Sequence, residues 1–139
     1  EQTIVHSGRQ SMPLAYDNSA SPFYSEAERT FDSFQDWTAR GADSLRLYFR
    51  GNAANAPQTL YVTLEDSSGH AATVSRTDPD AVQATEWQAW QIALGEYGGV
   101  NLSRIKKMVI GVGSKTNPKA GGAGTVYIDD IGYGRPVAP

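Results

Sequence analysis

The sequence predicts an all-β protein, an antiparallel β-sandwich of about nine strands in a single domain. Apolar and polar residues alternate with a period of two along most of the chain, which is typical of half-buried strands. No helical period persists for more than about a turn, and Gly, Asn, Asp, Ser and Pro separate the alternating segments. Regular short strands without helices favour a sandwich or a barrel.

The clearest strand is predicted at 43–50, where apolar residues alternate with polar and amphipathic ones. Successive side chains of a strand point to opposite faces, so one set is expected to face the core and the other to face outward. The predicted inward residues are Leu45, Leu47 and Phe49, and the predicted outward residues are Arg46, Tyr48 and Arg50.

The same alternation predicts the remaining strands. A turn at Asp66–Gly69 indicates a hairpin between two of them, and 95–103 is expected to hold one helical turn. We expect the domain to cover 1–133 and a linker-like tail to cover 134–139. The predicted strands are 3–6, 11–16, 25–31, 43–50, 60–65, 70–76, 90–94, 107–112 and 125–131.

Composition excludes several classes of function. The chain has 12 Lys and Arg against 15 Asp and Glu, and its basic residues are scattered, which argues against a nucleic-acid partner. It has no Cys, which excludes a disulfide scaffold, a Cys-ligated zinc site and thiol catalysis. No apolar run approaches the roughly 20 residues of a membrane-spanning helix.

Three stretches, in this order and spacing, resemble bacterial jelly-roll carbohydrate-binding modules of the calcium type: Val5–Leu14, Thr85–Leu94 and Thr125–Ile131. Together with Asp36–Thr38, the likeness covers nearly the whole chain. Such modules are appended to large secreted polysaccharide-active proteins. The resemblance implies a secreted, extracellular or cell-surface domain with a jelly-roll sandwich. It also implies that the domain binds a polysaccharide or oligosaccharide without catalysing a reaction.

The resemblance also implies a structural Ca²⁺ ion, held by the first Asp of a pair in the last strand. Asp129 matches that position, and Ser7, Arg9 and Ser11 fall where the opening hairpin would supply backbone or hydroxyl oxygens. Calcium takes six to eight oxygen ligands, which suits such a set. The alternative is a sheet-edge carboxylate that pairs with an Arg or caps backbone N–H groups.

The sugar site is predicted among aromatic and forked polar side chains. Tyr and Trp offer a flat apolar surface to the C–H faces of a sugar ring, and Arg can donate to adjacent hydroxyls. We expect the site on the outward face of strand 43–50, continued on another strand by Tyr61 and Glu65. The predicted sugar ligands are Arg46, Tyr48, Arg50, Trp37, Tyr24 and Tyr97.

Each aromatic residue also has a structural interpretation. Tyr48, between two arginines, also fits an ordinary solvated face, and Trp37 also fits a plug at one end of the sandwich. Trp87 and Trp90 are expected to lie in the core rather than to bind sugar.

An enzyme is not predicted. Glu26 and Glu28 share a strand face about 7 Å apart, a separation that some glycosidases use, but Arg29 and an exposed edge explain them equally well. His6 and His70 are isolated, so they suggest no metal site or catalytic triad. The alternative function is a structural or adhesive sandwich that assembles through exposed strand edges.

Overall fold

The computed structural model describes residues 12–18, 24–38, 44–113 and 122–134. The regular structure of this part consists of strands and three short 3-10 turns, at Pro79–Gln83, Leu94–Glu96 and Leu102–Arg104. No helix found there has the length and apolar character to cross a membrane. The strands are β1 (Met12–Asp17), β2 (Tyr24–Gln35), β3 (Ser44–Arg50), β4 (Leu60–Asp66), β5 (Ala71–Ser75), β6 (Gln88–Ala93), β7 (Ile105–Gly113) and β8 (Ala123–Gly134).

The strands form two antiparallel sheets. Sheet A has the order β1-β8-β3-β6, and sheet B has the order β2-β7-β4-β5. The predicted β-sandwich is therefore confirmed, and eight of the nine predicted strands are present. The predicted strand at 3–6 lies outside the described residues, as does the predicted tail after Gly134.

The core lies between the two sheets and is built by period-two alternation. Leu45, Leu47 and Phe49 of β3 are all buried, as the sequence predicts. In sheet B, Leu60, Val62 and Leu64 of β4 are buried opposite them. Alternate residues of a strand point to opposite sides, so each sheet also has an outward face. The buried core positions determine which residues lie on that outward face.

The β4–β5 hairpin is confirmed, and a buried carboxylate organises its turn. Asp66 Oδ1 accepts hydrogen bonds from the backbone N–H groups of Ser68 and His70, at 2.9 and 3.0 Å. Asp66 Oδ2 accepts another from the N–H of Asn101 at 2.8 Å, which lowers the pKa of Asp66. Gly69 adopts a φ of 89°, a conformation that glycine reaches without strain.

One arginine covers the core where β5 and β6 form the edges of the two sheets. The Arg76 guanidinium carbon lies 4.9 Å from the centroid of the Phe49 ring and 5.4 Å from that of Trp90. Its Nε and Nη2 donate to Asp78 at 2.9 and 3.0 Å, so the charge is paired and the pKa of Asp78 is lowered. This contact supports the inner side of β3.

Candidate functional site

The two sheets present different outward faces, and each is named here after its central tyrosine. The Tyr48 face, on sheet A, consists of Arg46, Tyr48, Arg50, Ala89, Gln91, Tyr127 and Asp129. The Tyr61 face, on sheet B, consists of Glu26, Glu28, Tyr61, Thr63, Glu65, Lys107, Val109 and Gly111.

The centre of the Tyr48 face is β3, which lies between β8 and β6. Tyr48 is in register with Asp129 on one side, and Arg50 is in register with Tyr127. The Arg46 side chain is exposed, and its guanidinium carbon lies 5.6 Å from the centroid of the Tyr48 ring. The face thus combines partly exposed aromatic rings with cationic forks and a carboxylate.

A β-bulge lies within this face. Arg46 is in register with Gly132, whereas Tyr48 is in register with Asp129, so two residues of β8 stand opposite Leu47 alone. A bulge bends the strand and increases the local right-handed twist of the sheet. The outward face is therefore twisted between Arg46 and Tyr48.

The two arginines of this face are not matched with carboxylates in the part of the chain that the structure describes. Within the described part of the chain, neither Arg46 nor Arg50 takes part in an ion pair. The Arg50 Nε is buried and has no hydrogen-bond partner. A buried donor without a partner costs about 1–3 kcal/mol, and more when it is charged, so such groups are uncommon in folded proteins.

The Tyr61 face, by contrast, satisfies its polar groups internally. The Tyr61 hydroxyl donates to Glu26 Oε2 at 2.6 Å, and burial together with this bond raises the pKa of Tyr61. Lys107 Nζ lies 3.6 Å from Glu28 Oε1 and 3.6 Å from Glu65 Oε2. Opposite charges and hydrogen-bonding groups are therefore matched across neighbouring strands.

A glycine makes the Tyr61 contact possible. Tyr61 is in register with Gly111, and Gly111 is in register with Glu26, so the Tyr61 side chain must cross β7 to reach its acceptor. A Cβ at Gly111 would lie 2.3 Å from Tyr61 Cζ. Because Gly111 has no side chain, the ring packs directly on the strand and only 2% of Tyr61 is exposed.

The structure brings together part of the predicted sugar site. Arg46, Tyr48 and Arg50 lie on one outward face, as predicted. The expectation that Tyr61 and Glu65 continue this face is wrong, because β4 belongs to the opposite sheet. Tyr24 lies at the start of β2 in sheet B, in register with Gly113, so it is not near Tyr48 either.

Two of the predicted loop aromatics are buried. Trp37 is 3% exposed, and its ring packs edge-on against Phe31 with centroids 6.4 Å apart. Tyr97 is 2% exposed and donates its hydroxyl hydrogen to the carbonyl oxygen of Val62 at 3.2 Å. Neither ring lies on the outward face that carries Tyr48, so neither is part of the proposed site.

Two aromatic residues near the Tyr48 face were not predicted as ligands. Tyr127 lies between the core residues Val126 and Ile128, so alternation alone places it outward. Trp87 is partly exposed and directly precedes β6, whereas Trp90 is buried in the core as expected. Residues three apart in an extended strand face opposite sides, so the spacing of Trp87 and Trp90 in the sequence already indicates that only one of the two can face the core.

The predicted calcium ligands are described only in part. Asp129 lies in β8, next to Ile128, which is in register with Met12 at the start of β1. The chain therefore enters β1 beside Asp129. Ser7, Arg9 and Ser11 lie outside the described residues, and the described residues contain no group of three acidic or His side chains suited to a metal. Calcium binding remains a prediction.

A cavity of about 560 Å³ lies between the sheets, near the edges formed by β1 and β2. Its lining is mostly apolar, which gives few groups to orient sugar hydroxyls. The lining residues are Met12, Ala27, Glu28, Arg29, Phe31, Gln35, Trp37, Leu45, Met108, Ile110 and Ile131.

No protein-family model and no curated protein matches the sequence. Solved structures do match. An exo-β-agarase has a TM-score of 0.70 and 17% identity over 94% of this chain, which spans 20% of the agarase chain. The family 30 carbohydrate-binding module of the Clostridium thermocellum cellulosomal cellulase Cel9D-Cel44B has a TM-score of 0.64 and 14% identity, covering 94% of this chain and 78% of its own.

A third match is the family 11 carbohydrate-binding module from Clostridium thermocellum, solved with a β-1,3-1,4-mixed-linked tetrasaccharide. Its TM-score is 0.51 at 10% identity, and the match covers 89% of this chain and 83% of the module. At these identities the likeness establishes the fold. The sequence motifs resemble those of carbohydrate-binding modules, and the β-sandwich fold that this resemblance implies is thereby confirmed for this chain.

Proposed function

We propose that this chain is a non-catalytic carbohydrate-binding domain that holds a polysaccharide against the Tyr48 face. The observation that carries the proposal is the concentration, on the outward side of β3 and β8, of partly exposed aromatic rings and of two guanidinium groups that form no ion pair with the described residues. The fold shared with carbohydrate-binding modules supports it.

Binding would combine ring stacking with hydrogen bonds to hydroxyls. Tyr48 and Tyr127 offer flat surface at low entropic cost, while Gln91 and Asp129 add an amide and a carboxylate on the same face. A few such contacts must offset the loss of freedom of the sugar, so we expect dissociation constants on the order of micromolar to millimolar.

The benefit to a larger protein would be proximity. A domain that holds a polymer raises the effective concentration of a tethered catalytic domain on that polymer. The same fold makes up about a fifth of an exo-β-agarase chain, which supports a role as an appended domain. We propose that the domain acts outside the cell, where polysaccharides are met, and binds no nucleic acid.

The carboxylates of the Tyr61 face support a non-catalytic role. Glu26 and Glu28 do share a face, as the sequence predicts. However, Glu26 accepts the Tyr61 hydroxyl and Glu28 pairs with Lys107, so both side chains already have structural partners. A glycosidase needs a pair of carboxyl groups that reach the bond to be cleaved.

The test is Tyr48→Ala, measured by affinity electrophoresis through gels that contain a panel of polysaccharides. Loss of one stacking ring should weaken retention roughly tenfold, which corresponds to about 1.4 kcal/mol. The melting temperature should change little, because Tyr48 lies off the core. Thr63→Ala, on the Tyr61 face, is the matched control and should bind as the wild type does.

Two results would contradict this proposal. Unchanged retention of Tyr48→Ala together with loss in a variant of the Tyr61 face would move the site to sheet B. Concentration-dependent assembly of the wild type, seen by sedimentation without retention on any glycan, would favour the adhesive alternative through strand edges.

A further inference from the structure

We propose that the Tyr48 face selects polysaccharides that carry sulfate or carboxylate groups. This inference rests on the proposed function and adds the chemical class of its ligand. It is carried by the two arginines of β3, which lie on the same outward face on either side of Tyr48.

The orientation of the Arg46 guanidinium suits the binding of an anion. Its guanidinium carbon lies 5.6 Å from the Tyr48 ring centroid, a cation–π contact that orients the group without neutralising its charge. A planar fork of N–H donors matches sulfate and carboxylate oxygens.

Arg50 carries a charge that is poorly compensated. Its Nε is buried from water and has no hydrogen-bond partner. The charge of a guanidinium is delocalised, so burial of one nitrogen reduces the solvation of the whole group. An anionic oxygen that accepts from the Nη nitrogens would supply the missing counter-charge. A neutral hydroxyl would supply much less of it.

Among the described residues, some cations are paired with carboxylates, and others, such as Arg29, Arg104 and Lys106, take part in no ion pair. Lys107 lies between Glu28 and Glu65, and Arg76 is bonded to Asp78 through two nitrogens. Those charges are already paired with carboxylates of this chain. Arg46 and Arg50 have no ion-pair partner among the described residues.

The order of charges along β3 suggests where the anionic groups sit. Arg46 and Arg50 are four residues apart, so their Cα atoms are separated by roughly 13 Å along the strand. Asp129, in register with Tyr48, lies between them, so a carboxylate rather than a third cation separates the two arginines. The face therefore fits a polymer whose anionic groups recur with uncharged surface between them.

The experiment compares a sulfated galactan with the same galactan after desulfation, using isothermal titration calorimetry on the intact chain. We expect the sulfated polymer to bind at least tenfold more tightly in about 0.1 M salt. That preference should largely disappear in about 1 M salt, where the screening length falls from about 10 to about 3 Å. The salt response of the wild type tests the inference even if an arginine variant folds poorly.

The double variant Arg46→Gln/Arg50→Gln should lose the preference and bind the sulfated and the desulfated polymer with about equal affinity. Lys106→Gln, an exposed charge outside the Tyr48 face, is the control and should keep the preference. Equal binding of both polymers by the wild type would overturn the ligand class and leave the proposed function intact. An equal loss in Lys106→Gln would overturn the role of the two arginines, and failure of both polymers to bind would overturn both proposals.

Discussion

The two outward faces of this sandwich have similar composition but opposite states of pairing. Both carry a tyrosine beside charged residues. On sheet B, Tyr61 is bonded to Glu26 and Lys107 lies between two glutamates. On sheet A, among the described residues, Arg46 makes a cation–π contact but no ion pair, and Arg50 has a buried donor without a partner.

Because the two faces differ in pairing and not in composition, polar composition alone does not identify a binding face. Charged and aromatic residues that satisfy one another stabilise the fold and offer little to a ligand. Those whose donors lack partners leave interaction energy available to something outside the chain. Each prediction below tests whether the Tyr61 face is structural and the Tyr48 face is open.

The largest effect is expected from Gly111→Ala. The added methyl group would lie 2.3 Å from Tyr61 Cζ, so the ring must leave its place over β7 and lose its bond to Glu26. We expect unfolding free energy to fall by about 3 kcal/mol in chemical denaturation. Gly95→Ala is the matched control, since a Cβ there meets nothing within 4 Å, and should change stability by less than about 0.5 kcal/mol.

If Gly111→Ala proves as mild as its control, the Tyr61 ring is not fixed on the sheet and the contrast between the faces weakens.

A slightly smaller effect is expected from calcium. If Asp129 binds calcium with oxygens near the start of β1, then one carboxylate of the Tyr48 face is also structural. At a hundredfold excess over its dissociation constant, an ion that binds only the folded state adds about 2.7 kcal/mol. Addition of chelator should lower the melting temperature of the wild type and leave Asp129→Asn unaffected. An identical melting curve with and without chelator would contradict the prediction that calcium stabilises the fold.

Tyr61→Phe should cost less, about 2 kcal/mol, because it removes a hydrogen bond to a carboxylate and keeps the ring. Polysaccharide retention should not change. The pKa of Tyr61 is raised above its ordinary value of 10.0, first by burial. Its contribution is therefore complete below that value and is lost as pH rises toward the folded pKa.

The stability difference between wild type and Tyr61→Phe should consequently shrink above about pH 10, as followed by denaturation at a series of alkaline pH values. A difference that stays constant through this range would mean that the hydroxyl is not held protonated by the fold. A loss of sugar binding in Tyr61→Phe would instead make the Tyr61 face part of the site.

Much of the fold was predictable because alternation fixes which side of a strand is buried. Leu45, Leu47 and Phe49 face the core, and Tyr48 faces outward, as that rule requires. Alternation does not determine the sheet to which a strand belongs. Tyr61 was therefore correctly turned away from the core and wrongly joined to the face of Tyr48.

The loop aromatics could not be placed in this way. Trp37 and Tyr97 directly follow a strand or a turn, where alternation no longer applies. The path of the loop backbone then determines whether each ring points toward the core. Both are buried because partners distant in sequence or beyond a turn receive them, such as the Val62 carbonyl that accepts the Tyr97 hydroxyl. Trp87 could have been placed. It lies three residues before the buried Trp90, and in a strand that spacing predicts that the Trp87 side chain points outward.

The bulge opposite Leu47 is a place where β8 can lose one residue without a change in the side to which the neighbouring residues point. Asp129 meets Tyr48 and Gly132 meets Arg46 only because one extra residue is accommodated between them. Deletion of a single residue there would leave the composition of the strand almost unchanged. It would, however, remove the bulge and restore regular alternation, with Asp129 still opposite Tyr48 and Gly132 still opposite Arg46. Loss of one residue at this place should therefore change the twist of the Tyr48 face, whereas the same loss elsewhere in β8 would turn every side chain beyond it to the opposite side of the sheet.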